Sequence, residues 1–222
     1  MNERVKVLLI GGSSHVGKST LARRVAEQLQ WRYLSTDQLA RHPGRPWRDD
    51  GSAVPADVAS HYATLSTTEL LDDVVGHYHN NVWPIVAALV RSHLNNPYDP
   101  CLVLEGSAIL PELAGGVDLD GVARVWMTAD DGLIRQRISL TSALDQRDPQ
   151  AQQLIEAFLA RSLVFNARIA ESTRQLGLEA LDASHRTTAE ARLSSVRART
   201  RPDPNRPHSS GRPVHGTLTS RL

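Results

Sequence analysis

The chain has 222 residues, 41% of them hydrophobic and 22% charged, with a formal net charge of +1. That is enough for one substantial core, with no overall charge bias of the kind that marks a nucleic-acid or membrane-surface protein. No apolar run approaches the ~20 residues that cross a bilayer, and the N-terminus runs into a strand instead of a secretory leader, so a cytoplasmic protein without a membrane partner is expected. The single cysteine, Cys101, excludes an internal disulfide; opening the apolar run CLVLE, it is expected as a buried strand residue and not a nucleophile.

In chain order, VKVLLI (Val5 to Ile10) is a short apolar stretch of strand length. The segment GGSSHVGKST follows it, and then TLARRVAEQLQ, with Leu21, Val25 and Leu29 at helical intervals. Gly12, Gly17, Lys18 and Ser19 reproduce the G-x-x-x-x-G-K-[ST] spacing of a phosphate-binding loop, in the strand, loop, helix context that the motif requires. Its glycines let successive backbone N–H groups turn inward onto phosphate oxygens, and the helix N-terminus adds about half a positive charge. Gly12, Ser13, Ser14, His15, Val16, Gly17, Lys18, Ser19 and Thr20 are therefore expected to surround the phosphates of ATP. Lys18 is expected on the β and γ phosphates and Ser19 on Mg²⁺. His15 is expected as a solvent-facing position of the loop.

WRYLST (Trp31 to Thr36) is expected as a second strand ending at Asp37. Thr67 to His79 and Val82 to Leu94 are expected as helices, the latter with its proline in the first turn. CLVLE (Cys101 to Glu105) is a third strand, VARVWMTA (Val122 to Ala129) a fourth and LEALDA (Leu178 to Ala183) a fifth. Helices are expected over Asp130 to Leu144 and Ala151 to Leu176. Five short apolar strands separated by helices predict an α/β fold with a parallel sheet covered on both faces. From Arg199 onward the chain is rich in Pro, Ser, Gly and Arg and has little to bury, so residues 199–222 are expected as a disordered basic tail. Residues 185–222 hold eight arginines against Glu190 and Asp203, whereas residues 1–184 hold 17 basic and 22 acidic side chains. The folded part is mildly acidic, and nucleic acid is an expected partner only through the tail.

Ligands of such sheets bind outside the carboxyl ends of the strands. There lie the glycine loop, Asp37 after strand two and Glu105 after strand three. Phosphoryl transfer to a hydroxyl needs a carboxylate near the acceptor, and Asp37 is the candidate, with a helix N-cap as its competing role. Glu105, ending LVLE as a Walker B acid ends its strand, is expected to hold Mg²⁺ or contact the acceptor, and Gly106 lets the chain turn away sharply. Behind Asp37, RHPGRPWRDD supplies Arg41, His42, Arg45, Trp47 and Arg48. Arg41, Arg45 and Arg48 suit a carboxylate or phosphate on the acceptor. His61, His77 and His79 show no zinc-type spacing and are expected as surface or helix-packing residues, and Trp83 as core.

GGSSHVGKST, Asp37 and LVLEGSAILP together resemble the P-loop kinases of small molecules. This group includes adenylate, shikimate and gluconate kinases, chloramphenicol phosphotransferase and zeta toxins. GGSS with Glu105, Gly106 and Pro111 is most similar to 2-phosphoglycerate kinase-like proteins. The resemblance implies a P-loop NTPase sandwich with strand order 2-3-1-4-5 and a kinase domain over residues 1–198. It also implies an acceptor-binding insertion at about 38–80 and a lid at about 130–150. The implied activity is ATP- and Mg²⁺-dependent transfer of the γ-phosphate to a small, anionic alcohol. Alternatives are an antibiotic or nucleotide-sugar kinase, or a switch ATPase with an RNA-binding tail. The resemblance also implies a lid arginine on the transferring phosphate: Arg137 first, Arg147 second, with Arg135 and Arg161 remaining options.

Overall fold

Val7 to Gly12 are all buried because the strand they form, β1 (Val7–Gly12), runs through the middle of a five-stranded sheet. The computed structural model describes residues 5–40, 42–50, 52–115 and 120–184. On one side β1 pairs in parallel with β3 (Leu102–Glu105), Val7 opposite Leu102 and Ile10 opposite Glu105. On the other it pairs with β4 (Val122–Thr128), and β2 (Arg32–Ser35) and β5 (Ala180–Asp182) complete the sheet beside β3 and β4. The order β2-β3-β1-β4-β5 is the one expected, and with all pairings parallel the glycine loop, Asp37 and Glu105 emerge from one edge.

The helices are α1 (Lys18–Leu29), α2 (Ala56–Thr64), α3 (Thr67–His77), α4 (Trp83–Asn95), α5 (Pro111–Ala114), α6 (Asp131–Ser142) and α7 (Pro149–Gln175). Side chains alternate across β1. Leu8 and Ile10 join a core with α1, α2, α6 and the first half of α7, and Val7 and Leu9 join a second core with α3, α4 and α5. The 27-residue α7 serves both cores, through Phe158 on one side and Phe165 and Ile169 on the other.

Two helices were not expected. α2 buries only Val58 and Tyr62, too few to print a helical period on its nine residues. The four-residue α5 is a single turn opened by Pro111. The helix expected over Thr67 to His79 ends at His77 and passes through a π turn, Tyr78–Val82, into α4. Pro84 cannot donate to a carbonyl one turn back and its ring would crowd it, so the ladder slips by a residue just upstream. Cys101 lies one residue before β3 and is partly buried, and Trp83 packs against the second core. Among the described residues no helix is long and apolar enough to cross a membrane. The tail expected at 199–222 lies outside the described residues.

Candidate active site

The loop owes its shape to a backbone that few side chains tolerate. Gly12 sits at φ 139°, and a Cβ there would collide with the Met127 carbonyl of β4. The helix that follows has no side chain capping its N-terminus, and its first turn contains no acid, so its leading amides and dipole are left for an anion. The Lys18 ammonium is 7% exposed and donates to the Ser13 carbonyl at 2.6 Å. Burial pulls it below its ordinary value; the Glu105 and Asp37 carboxylates oppose that loss and Arg45 adds to it. Ser14 to Thr20 line a cavity of about 880 Å³. Ser13 instead points inward: it is fully buried and its hydroxyl donates to the Ser162 carbonyl of α7 at 2.8 Å.

At the strand ends β2 and β3 deliver two acids to the same cavity. Glu105 is 2% exposed and accepts hydrogen bonds from the Ser19 hydroxyl at 3.1 Å and the Tyr33 phenol at 2.9 Å. A hydroxyl and a carboxylate joined in this way offer hard oxygen ligands, the donor set that Mg²⁺ takes. Asp37 lies in a single 3₁₀ turn, Thr36–Gln38, which is capped by the Ser35 hydroxyl accepting from the Asp37 amide at 3.4 Å. The cap is thus Ser35, and the Asp37 side chain lines the cavity with Lys18 and Glu105. Gly106, at φ 154°, allows this closeness, since a Cβ would strike the Thr36 side chain. Any larger residue would push the end of β2 away from the end of β3.

Over the loop sits α6, capped by Asp130, whose carboxylate accepts from the Leu133 amide at 2.7 Å. Arg137 donates to the His15 carbonyl at 2.9 Å, and Thr141 Oγ1 lies 3.1 Å from His15 Nε2. His15 does not face solvent as expected. At φ 62° its ring turns in against Trp47 and Phe158, and burial, reinforced by Arg45, Lys18 and Arg137, lowers its pKa to about 4. It is a neutral packing residue at pH 7. Arg147 donates through Nε to the Ser142 carbonyl at the end of α6 and is not among the residues that line the cavity, and Arg135 is exposed.

A second part of the cavity is built from distant segments. Arg45 lines it, and its guanidinium lies 5.8 Å from the centre of the Trp47 ring. Arg48 lines an adjoining depression with Trp47 and Asp57. Arg41 lies outside the described residues. Arg161 of α7, 7% exposed, lies over the rings of Phe158 at 4.7 Å and Tyr62 at 5.7 Å and donates to the Tyr62 hydroxyl at 3.1 Å. Tyr62 in turn donates to the Gly44 carbonyl. No carboxylate among the described residues pairs with Arg161, an unusual state for a buried cation. Tyr78, in the π turn, also lines this part; burial pushes its phenol up to about 12. His61 and His77, expected as surface or helix-packing residues, both come against His42, and His42 and His77 line the cavity.

Sequence reasoning placed Arg161 last among the arginines and passed over Tyr33, Tyr62 and Tyr78. A signal for Arg161 was present: it interrupts the apolar stripe Leu154, Phe158, Phe165 and Ile169 of α7, where only a charge with a task is retained. Around the whole cavity Lys18, Arg24, Arg45, Arg137 and Arg161 face two carboxylates, Asp37 and Glu105. Such a balance favours anionic ligands.

The sequence matches no family model and no curated protein. Among solved structures the chain is similar to a gluconokinase from Sinorhizobium meliloti 1021, at 16% identity over 87% of this chain and 94% of that one, with a TM-score of 0.48. It is similar also to a shikimate kinase from Bacteroides thetaiotaomicron, at 11% identity over 86% and 96% of the two chains and a TM-score of 0.43. A shikimate kinase from Acinetobacter baumannii in complex with shikimate aligns at 16% identity over 87% and 92%, with a TM-score of 0.42.

Proposed function

We propose that the protein is an ATP-dependent phosphotransferase that moves the γ-phosphate to a hydroxyl of a small anionic metabolite. The observation that carries this is the placement of Asp37 in one cavity with the buried Lys18 and with Arg161, a second buried cation that has no carboxylate partner among the described residues. A carboxylate that shares a cavity with a phosphate-binding loop and a second buried cation suits in-line transfer to an anionic acceptor.

In this reading the amides of residues 14–20 and the Lys18 ammonium hold the terminal phosphates. Mg²⁺, held by Ser19 and Glu105, would neutralise charge on the phosphates when bound. Arg161 and Arg45 bind the acceptor's anionic groups, which sets its hydroxyl toward Asp37. The Asp37 carboxylate accepts the hydroxyl proton as that oxygen bonds to the γ-phosphorus and the bond to the bridging oxygen breaks, releasing ADP. Arg137, already against the loop through the His15 carbonyl, stabilises charge on the transferring group. Residues 130–150 serve as the lid and 38–80 as the acceptor segment. Two cationic side chains for the acceptor, with Arg41 close by in the sequence, suit an acceptor bearing two acidic groups. A phosphorylated hydroxy acid such as 2-phosphoglycerate has that form, and GGSS with Glu105, Gly106 and Pro111 supports the same choice.

The test is ATP consumption by the full chain with Mg²⁺ across a panel of phosphorylated hydroxy acids, hydroxycarboxylates and neutral sugars. Turnover should rise at least tenfold with one anionic acceptor and not with neutral sugars. Turnover equally fast with no acceptor would make the protein an ATPase and end the proposal.

A further inference from the structure

Three segments distant in sequence bring a second group of polar side chains together beside the cavity. His42 comes from the loop behind Asp37, His61 from α2, and Asp73 and His77 from α3. His42 Nε2 stands 3.1 Å and His61 Nε2 3.9 Å from the same oxygen, Asp73 Oδ2, and one ligating atom from each of the three residues lies within 4.8 Å of the others. The two imidazoles are 14% and 11% exposed, whereas the carboxylate, at 52%, reaches the surface. The His77 ring packs 4.9 Å from that of His42, and its Nδ1 accepts a hydrogen bond from Asn81 at 3.0 Å.

A histidine–aspartate hydrogen bond accounts for His42 but not for His61. His61 Nε2 is buried and has no hydrogen-bond partner, and 3.9 Å is too long for one to Asp73. A buried ring nitrogen left unsatisfied and aimed at a carboxylate oxygen that a second imidazole already shares calls for something between them. We propose that His42, His61 and Asp73 form a binding site for one divalent transition ion of the zinc class.

The donor set decides the class of ion. Two imidazole nitrogens and one carboxylate oxygen suit zinc, whereas magnesium takes oxygens in a near-octahedral shell and calcium takes six or more of them. Ligand atoms about 2.0–2.2 Å from zinc in a tetrahedron stand roughly 3.2–3.6 Å apart. The His42–Asp73 pair, at 3.1 Å, falls about 0.1 Å short of that range, and His61, at 3.9 Å from Asp73, has to move toward the carboxylate by a few tenths of an ångström. Three protein ligands leave the fourth position for water or an acceptor oxygen. The site is distinct from the Ser19–Glu105 pair. Its ion ties the loop carrying Arg45 to both helices of the acceptor segment, and so holds one wall of the cavity in place.

The experiment uses the full chain, treated with chelator and dialysed, without nucleotide, so the result does not depend on whether the protein turns over ATP. ZnCl₂ is titrated calorimetrically, and CoCl₂ is followed by its visible absorption. One zinc per chain is expected, at a micromolar dissociation constant or tighter, with a four-coordinate cobalt spectrum. His61→Ala and Asp73→Asn should each weaken zinc binding at least about tenfold, while His79→Ala, outside the cluster, leaves it unchanged. Asp73 lies half-exposed, so its asparagine variant keeps the measurement in reach if the loss of His61 prevents folding. A wild-type chain that takes up no zinc, or Asp73→Asn and His42→Gln variants that bind it as the wild type does, would overturn the site.

Discussion

Two parts of the cavity lining are built in different ways. The part proposed for the phosphates is nearly continuous in sequence: residues 14–20 form it, with Glu105 and Asp37 arriving from the adjoining strand ends. The part proposed for the acceptor is lined by the loop at 42–45, α3, the π turn and α7, and Arg161 of α7 reaches Tyr62 of α2 across 99 positions. In the proposed reading the backbone itself binds at the first, so a short motif with glycines at set intervals is enough. At the second, side chains do the binding, and their convergence depends on how whole helices pack. The chemistry is therefore expected to fail at one part and specificity at the other.

The largest effect is expected at the phosphate part. Lys18→Ala removes the ammonium from the loop and should lower ATP turnover about 10³-fold, measured as kcat in a coupled assay. Retention of near wild-type kcat would mean that the loop does not hold the reacting phosphates. Asp37→Asn should cost about 10²-fold in kcat while the calorimetric affinity for Mg·ATP holds. A loss of ATP affinity instead would assign Asp37 to the phosphate part.

Arg161→Lys keeps the charge but not the fork that serves both Tyr62 and an anion. The acceptor's KM should rise about 10-fold to 100-fold, with the KM for ATP unchanged. Equal changes in both constants would erase the division between the two parts. The smallest effect concerns His15. Its neutral form is favoured in the folded chain and its pKa lies at about 4, against an ordinary 6.5. Its contribution to stability is complete above pH 6.5 and is lost as pH falls toward 4. Thermal melts across that range should show the decline, and His15→Asn, which tolerates the positive φ, should flatten part of it.

Which parts of this were legible follows from the range of the interactions concerned. The P-loop, Asp37 at the end of β2 and Glu105 at the end of β3 could be read because each depends on a local pattern: an apolar strand, then a turn, then a polar residue at its mouth. α2 could not, because two buried side chains in nine residues print no period. Arg147 could be found by spacing but not placed by it, since the 3₁₀ turn after α6, which no motif announces, turns its Nε back to the Ser142 carbonyl.

Local order along the chain was sufficient to set the parallel sheet, its strand-end acids and the glycine loop with its uncapped helix, because strand propensity, glycine conformations and helix dipoles act over a few residues. The burial of Arg161, the inward turn of His15 and the meeting of His42, His61 and Asp73 were decided only by tertiary packing. No local rule ties residue 42 to residue 73. The packing of α2 and α3 against the same long helix, α7, does, by bringing side chains from separate segments to within a few ångströms of one another.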